Sequence, residues 1–272
     1  MSNAGAKEGG CCPPGSWPAL QVDYKPRGTM KDIGKGLQAY VVGSGSRGII
    51  VLPDVFGVES GHSKAICDAF ADAGFVAVLP DMFRGGALQP RDPNNPLADI
   101  GAWGPKFDYQ SVLQKDVKEV LLPYLHDQCK LKSNASIALA GFCWGSWMLF
   151  HMCADSSLPG GPFACGISFH PSVQVEAFFF KRDPLALIDR ATCPQLLLPS
   201  AGEDASLKEE GDAIKRLRAK PFGASCGVRT FPEMQHGWVN RGDLNDPKVA
   251  RDSQQALELG IDFAKRHTKP AA

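Results

Sequence analysis

The chain has 272 residues, 44% hydrophobic and 21% charged, enough apolar material for one large α/β domain or two small ones. Lys plus Arg and Asp plus Glu each number 29, so no charged surface field points to nucleic acid or an anionic membrane. No apolar run approaches the roughly 18 residues needed to span a bilayer, and residues 1–10 lack the apolar core of a secretory signal, so a cytoplasmic protein is expected.

Ser2-Asn3-Ala4 reads as a cloning scar, and the Gly- and Pro-rich stretch up to residue 20 as irregular chain on the surface. An irregular lead-in is expected over 1–34 and a single domain over 35–272. Nine cysteines suit free thiols, since an odd count excludes complete internal pairing. Cys11-Cys12 has no second ligand pair at zinc spacing, so it is taken as structural or incidental. Neither a metal nor an organic cofactor is expected.

Residues 37–42 read as a strand, 43–46 as a hairpin-type turn, and 48–53 as a second strand, apolar throughout and buried on both faces. Asp54-Val55-Phe56-Gly57 forms its exit loop. Apolar positions 65, 66, 69, 70 and 73 line one face of a helix over 63–73, which Gly74 ends. A strand over 75–79 exits into Pro80-Asp81-Met82-Phe83-Arg84-Gly85-Gly86. The aperiodic stretch 87–106 is expected to lie over the sheet edge or the site, and a long helix is expected over 108–126.

A buried strand over 137–140 then runs into Gly141-Phe142-Cys143-Trp144-Gly145 and a helix continuing over 147–153. This is the Gly-x-nucleophile-x-Gly elbow, with cysteine where serine is usual. An abrupt strand-to-helix turn strains the central residue, and the glycines remove side chains that would collide around it. The helix N-terminus favours a thiolate and an oxyanion. Further strands over 164–169, 195–198 and 227–231 alternate with helices over 207–219 and 247–266. That alternation predicts one mostly parallel sheet with helices on both faces, and with the elbow it fits an α/β-hydrolase fold.

Sites in such sheets form beyond the carboxyl ends of the strands. Cys143, Asp204 and His236 each fall at such an end, in the order nucleophile, acid, histidine, as in the α/β-hydrolase triad. Asp204 is preferred over Glu203 for the acid by its position in Gly202-Glu203-Asp204, although capping a helix is the common job of such an aspartate. His170, also at a strand end, is the rival base. His62, His126, His151 and His267 are expected on surfaces or helix faces.

Five motifs over about residues 35–267 resemble the dienelactone hydrolase (carboxymethylenebutenolidase) family: Leu52-Pro53-Asp54-Val55-Phe56-Gly57, the 80–86 loop, the cysteine elbow, Gly202-Glu203-Asp204 and His236-Gly237-Trp238. The resemblance implies a hydrolase of lactones or small esters in which Cys143 attacks the carbonyl, His236 handles its proton and Asp204 orients the imidazole. It further implies an oxyanion hole from the N–H groups of Val55 and Trp144. Asp54 stands where relatives carry a thiol-contacting glutamate. Arg84 matches an arginine that grips a substrate carboxylate, and Asn240 replaces a second one, with Arg241 adjacent. The implied partner is a small ester or lactone, carboxylated if these arginines bind it, and the protein is a monomer or weak homo-oligomer. Two alternatives stay open: a thioesterase or acyltransferase on the same triad, and a non-catalytic thiol sensor on this fold.

Overall fold

The computed structural model describes residues 11–92 and 95–271. The residues proposed as a cloning scar lie outside that range. Among the described residues eight strands form one sheet: β1 (Thr29–Asp32), β2 (Gln38–Val42), β3 (Gly48–Leu52), β4 (Val76–Pro80), β5 (Ile137–Phe142), β6 (Cys165–Phe169), β7 (Gln195–Leu198) and β8 (Gly227–Val228). Their spatial order is β1-β2-β4-β3-β5-β6-β7-β8. All neighbours from β4 to β8 are parallel, while β1 and β2 pair antiparallel at the edge.

The expected hairpin across 43–46 does not form. β2 pairs with β4, not with β3, and the chain crosses over β4 before β3 enters the sheet. Gly43, at φ 81°, lies so close to the Phe75 carbonyl that a side chain would collide with it. The lead-in is likewise shorter than 1–34, since β1 lies within it.

Each central strand is apolar on both sides because both faces are covered. Ile49 and Val51 of β3 join Ala138 and Ala140 of β5 on the face packed by the helices Ser63–Asp72 and Pro247–His267. Ile50, Leu52, Ile137 and Leu139 point the other way, towards the helix Trp144–Ala154 and the helical stretch 109–128. The closing helix is well specified locally: the Asp246 carboxylate accepts from Lys248 N at 2.8 Å, Pro247 opens the first turn, and Lys265, Arg266 and His267 complement its C-terminal dipole. Two short helices, Val175–Phe180 and Pro184–Asp189, fill a region where no element was expected. Among the described residues no helix is long and apolar enough to cross a membrane.

Candidate active site

β5 ends at Phe142, and the helix Trp144–Ala154 begins two residues later. Cys143 between them is forced to φ 53°, ψ −115°, a backbone state that costs an L-residue on the order of 1–3 kcal/mol. A Cβ on Gly141 would meet Gly145 O at 2.5 Å, and one on Gly145 would meet Leu52 O at 2.2 Å. The two glycines are therefore what let the turn close and let the helix start abut the exit of β3. Trp103, from the aperiodic stretch 87–106, packs edge-on against Trp144 at 4.9 Å, so that stretch does lie beside the elbow.

His236 and Glu203 come from the loops beyond the last strands and are both buried. Glu203 Oε1 accepts from His236 Nδ1 at 2.6 Å, while Ser200 N holds the other carboxylate oxygen. Asp204, expected to orient the histidine, is exposed and accepts from Ser206 N at 2.8 Å, capping the short turn Ala205–Leu207. The carboxylate that meets the histidine is thus that of Glu203. The loop leaves β7 so that Glu203 points inward under Ser200, and its neighbour necessarily points out.

Burial works against the charge of His236, but the Cys143 thiol and then Glu203 more than offset it, pushing the imidazole pKa up to about 9. Glu203 shows the reverse balance: burial disfavours its charge, and His236 together with Ser200 still holds it below the usual carboxylate range. His236 Nε2 makes no aligned hydrogen bond among the described residues and lies within electrostatic reach of Cys143. His170, at φ 37°, stacks edge-on against the His236 ring at 4.8 Å. Its burial, and then the charge of His236, hold its own pKa well below 6.5, which suits a neutral supporting ring. His151, expected on a surface or helix face, lies on the helix Trp144–Ala154 with its ring buried and bonded to Glu176 at 3.0 Å.

Asp54 does not bond Cys143. Its carboxylate accepts from Phe56 N at 2.9 Å, Ser60 Oγ at 2.9 Å and Asn240 Nδ2 at 2.8 Å, and pairs with Arg241 Nε at 2.8 Å. Arg84 is committed elsewhere: Nε and Nη2 form a two-pronged pair with Asp116, both at 2.8 Å, and Nη1 donates to Lys35 O. Arg241, by contrast, is 1% exposed and faces the site. Burial opposes its charge, and Asp54 followed by the thiols of Cys12, Cys143 and Cys11 favours it, leaving the guanidinium firmly charged. Its Nη1 donates to the carbonyls of Trp17 and Pro18, while Nη2 has no hydrogen-bond partner among the described residues.

Pattern reading missed Cys11 and Cys12. They are 0% and 5% exposed rather than on the surface, because the segment 11–20 lies across the site. Trp17 N donates to His236 O at 2.8 Å, Gly61 N to Leu20 O at 3.0 Å, and Ser172 Oγ to Cys11 O. Cys12 Sγ lies 3.4 Å from Cys143 Sγ and 3.3 Å from Cys11 Sγ. The three thiols, mutually within 4.8 Å, are the set among the described residues that could hold a metal ion. No signal in a linear pattern reports such packing across 131 residues.

A profile of the Dienelactone hydrolase family matches residues 37–268. The chain belongs to that family. As a dienelactone hydrolase family member it is a hydrolase acting on ester bonds. An uncharacterized AIM2 family protein of Schizosaccharomyces pombe is 30% identical over 93% of this chain and 97% of its own length. A carboxymethylenebutenolidase homolog of Xenopus tropicalis is 27% identical over 81% of this chain and 82% of its own. Among solved structures, a dienelactone hydrolase-like promiscuous phosphotriesterase from metagenomic libraries shares the fold at a TM-score of 0.61 and 16% identity, covering 90% of this chain and 99% of that one.

Proposed function

We propose that this dienelactone hydrolase family member cleaves lactones or small esters through a Cys143–His236–Glu203 triad. The observation that carries the reading is the 2.6 Å Glu203–His236 contact, on an imidazole whose affinity for a proton is raised by the Cys143 thiol held at the strained elbow. A charged imidazole beside a thiolate is the resting form of a cysteine nucleophile.

In the first step Cys143 Sγ attacks the ester carbonyl. The oxyanion forms at the N–H of Trp144, whose first-turn position has no partner within its helix, and of Val55, on the loop that abuts that helix. His236 Nε2 passes its proton to the departing alkoxide, which for a lactone stays tethered to the acyl group. Water, deprotonated by the same nitrogen, then opens the thioester. Glu203 holds the ring orientation throughout and stabilises the imidazolium. Arg241, with Nη2 unengaged and two donor contacts spent on the strap carbonyls of Trp17 and Pro18, is the cation suited to a carboxylated substrate. Cys143 is 0% exposed, so the segment carrying Cys11 and Cys12 must withdraw before any ester reaches it.

The test is a hydrolysis screen of carboxylated lactones and neutral aryl esters, with Cys143→Ala as the blank. Loss of turnover in step with labelling of Cys143 by iodoacetamide supports the reading. Turnover that survives complete labelling of Cys143 eliminates it.

A further inference from the structure

We propose that Cys12 is a resolving thiol for Cys143, so that a hydroperoxide converts the pair into a Cys12–Cys143 disulfide that fastens the N-terminal segment over the site. This rests on the reading of Cys143 as the nucleophile only for its effect on activity, not for the chemistry of the bond.

Four observations carry it. The two sulfurs are 3.4 Å apart and need to approach by only about 1.4 Å to reach bonding distance. The strap that brings Cys12 there is held on both sides, by Trp17 on His236, by Arg241 on Trp17 and Pro18, and by Ser172 on Cys11 O. Two cations line the cluster, Arg241 beside the three thiols and the His236 imidazolium beside Cys143. Finally, hydrogen bonding with Cys11 and then Cys143 holds Cys12 well below the usual thiol range, while hydrogen bonding with Cys12 and then Cys143 holds Cys11 well above it.

Cys11 is a poor disulfide partner for Cys12. Adjacent α-carbons stand about 3.8 Å apart, closer than the usual 4.4–6.8 Å span of a disulfide, so a Cys11–Cys12 bond is strained. A shared metal is the competing use of the cluster. Sulfurs 3.3–3.4 Å apart are tighter than the roughly 3.8 Å edge of a tetrahedron built on 2.3 Å metal–sulfur bonds, and no fourth Cys, His, Asp or Glu joins them among the described residues.

The chemistry balances with hydrogen peroxide as the oxidant. One thiolate attacks a peroxide oxygen, giving a sulfenic acid and a hydroxide that takes up the proton. The second thiol attacks the sulfenic sulfur, forming the S–S bond and releasing water. Two thiols and one peroxide become a disulfide and two waters.

The full chain also holds an internal control. Cys153 and Cys193 lie 3.4 Å apart as well, buried in the core at the C-terminal end of the helix that follows the elbow. The Cys153 thiol and then burial hold Cys193 well above the usual thiol range.

The experiment treats the reduced full chain with hydrogen peroxide, maps cross-linked peptides by mass spectrometry, and assays ester hydrolysis before and after dithiothreitol. A Cys12–Cys143 cross-link forming well before any Cys153–Cys193 one is expected, with activity lost and then restored by reductant. In Cys12→Ser, compared with its own reduced activity, Cys143 should over-oxidise to sulfinic acid, and the restored fraction should fall about tenfold. Absence of the Cys12–Cys143 peptide, or equal cross-linking of both pairs, overturns the proposal. So does a stoichiometric metal in the isolated protein that shields all three thiols from alkylation. If the cross-link forms and activity is untouched, the resolving role stands, and it is the nucleophile assignment that fails.

Discussion

Glu203 Oε1 sits 2.6 Å from His236 Nδ1, while Asp204, the next residue, turns its carboxylate outward to the N–H of Ser206. One residue separates a group that sets the state of the histidine from one that closes a surface turn. Kinetics should report the same division. Glu203→Gln is expected to lower kcat by about 10³–10⁴-fold, since a neutral amide no longer fixes the tautomer or supports the imidazolium. Asp204→Asn keeps an oxygen for Ser206 and should stay within about threefold of wild type. A large loss in Asp204→Asn with a mild one in Glu203→Gln would reverse the assignment.

The Glu203–His236 pair also predicts a pH window. His236 has its pKa raised from 6.5 to about 9, so its contribution to stability is complete below 6.5 and is lost as pH rises through about 9. Glu203 has its pKa lowered, so its contribution is present above 4.5 and is lost as pH falls through the depressed value. The unfolding free-energy gap between wild type and Glu203→Gln should therefore be widest between these limits, on the order of 3 kcal/mol, and shrink towards both ends. Denaturant titrations at a series of pH values measure it. A gap independent of pH would mean that the pair is not charged.

Much of this arrangement was legible in the chain. The elbow could be read because close approach at Gly141 and Gly145 leaves a residue-type signature, and the strand ends because buried parallel strands are continuously apolar. What escaped depends on direction, which a pattern does not carry. Glu203 and Asp204 are chemically near-equivalent, and only the path of the loop past Ser200 decides between them. Arg84 and Arg241 likewise differ in what lies opposite them, Asp116 in one case and Asp54 with the thiols in the other. Gly43-Ser44-Gly45-Ser46 has turn composition, but the crossover of β2 to β4 is a non-local pairing.

Substrate charge should therefore depend on Arg241 and not on Arg84. Removing Arg84 cuts an exposed ion pair, and the ratio of kcat/KM for carboxylated over neutral esters should change by less than about twofold. Arg241→Lys keeps a charge beside Asp54 but loses the second guanidinium nitrogen, and that ratio should drop about 10-fold, within the value of a charge-assisted contact. An unchanged ratio in Arg241→Lys, alongside a fall in Arg84→Ala, would return the substrate carboxylate to the 80–86 loop.

The N-terminal strap sets the last expectation. Cys11 O takes the Ser172 hydroxyl, lies 3.9 Å from Cys143 Sγ and accepts from Gln174 Nε2 at 3.4 Å, so the backbone of residue 11 fills space an ester must enter. Opening requires breaking these contacts together with those of Trp17 and Pro18 to His236 and Arg241, each worth about 1 kcal/mol net and somewhat more where the guanidinium donates. Deleting residues 1–16 leaves Trp17 and Pro18 in place and removes Cys11 and Cys12 from beside the Cys143 thiol. Under reducing conditions the deletion should speed alkylation of Cys143 by iodoacetamide about tenfold or more and lower KM with little change in kcat, because the cost of withdrawing the strap is removed from binding and not from the chemical step. Melting temperature, followed in parallel, separates this from general loosening of the sheet. If alkylation and KM are unchanged by the deletion while the fold is intact, the segment moves freely and does not gate the site.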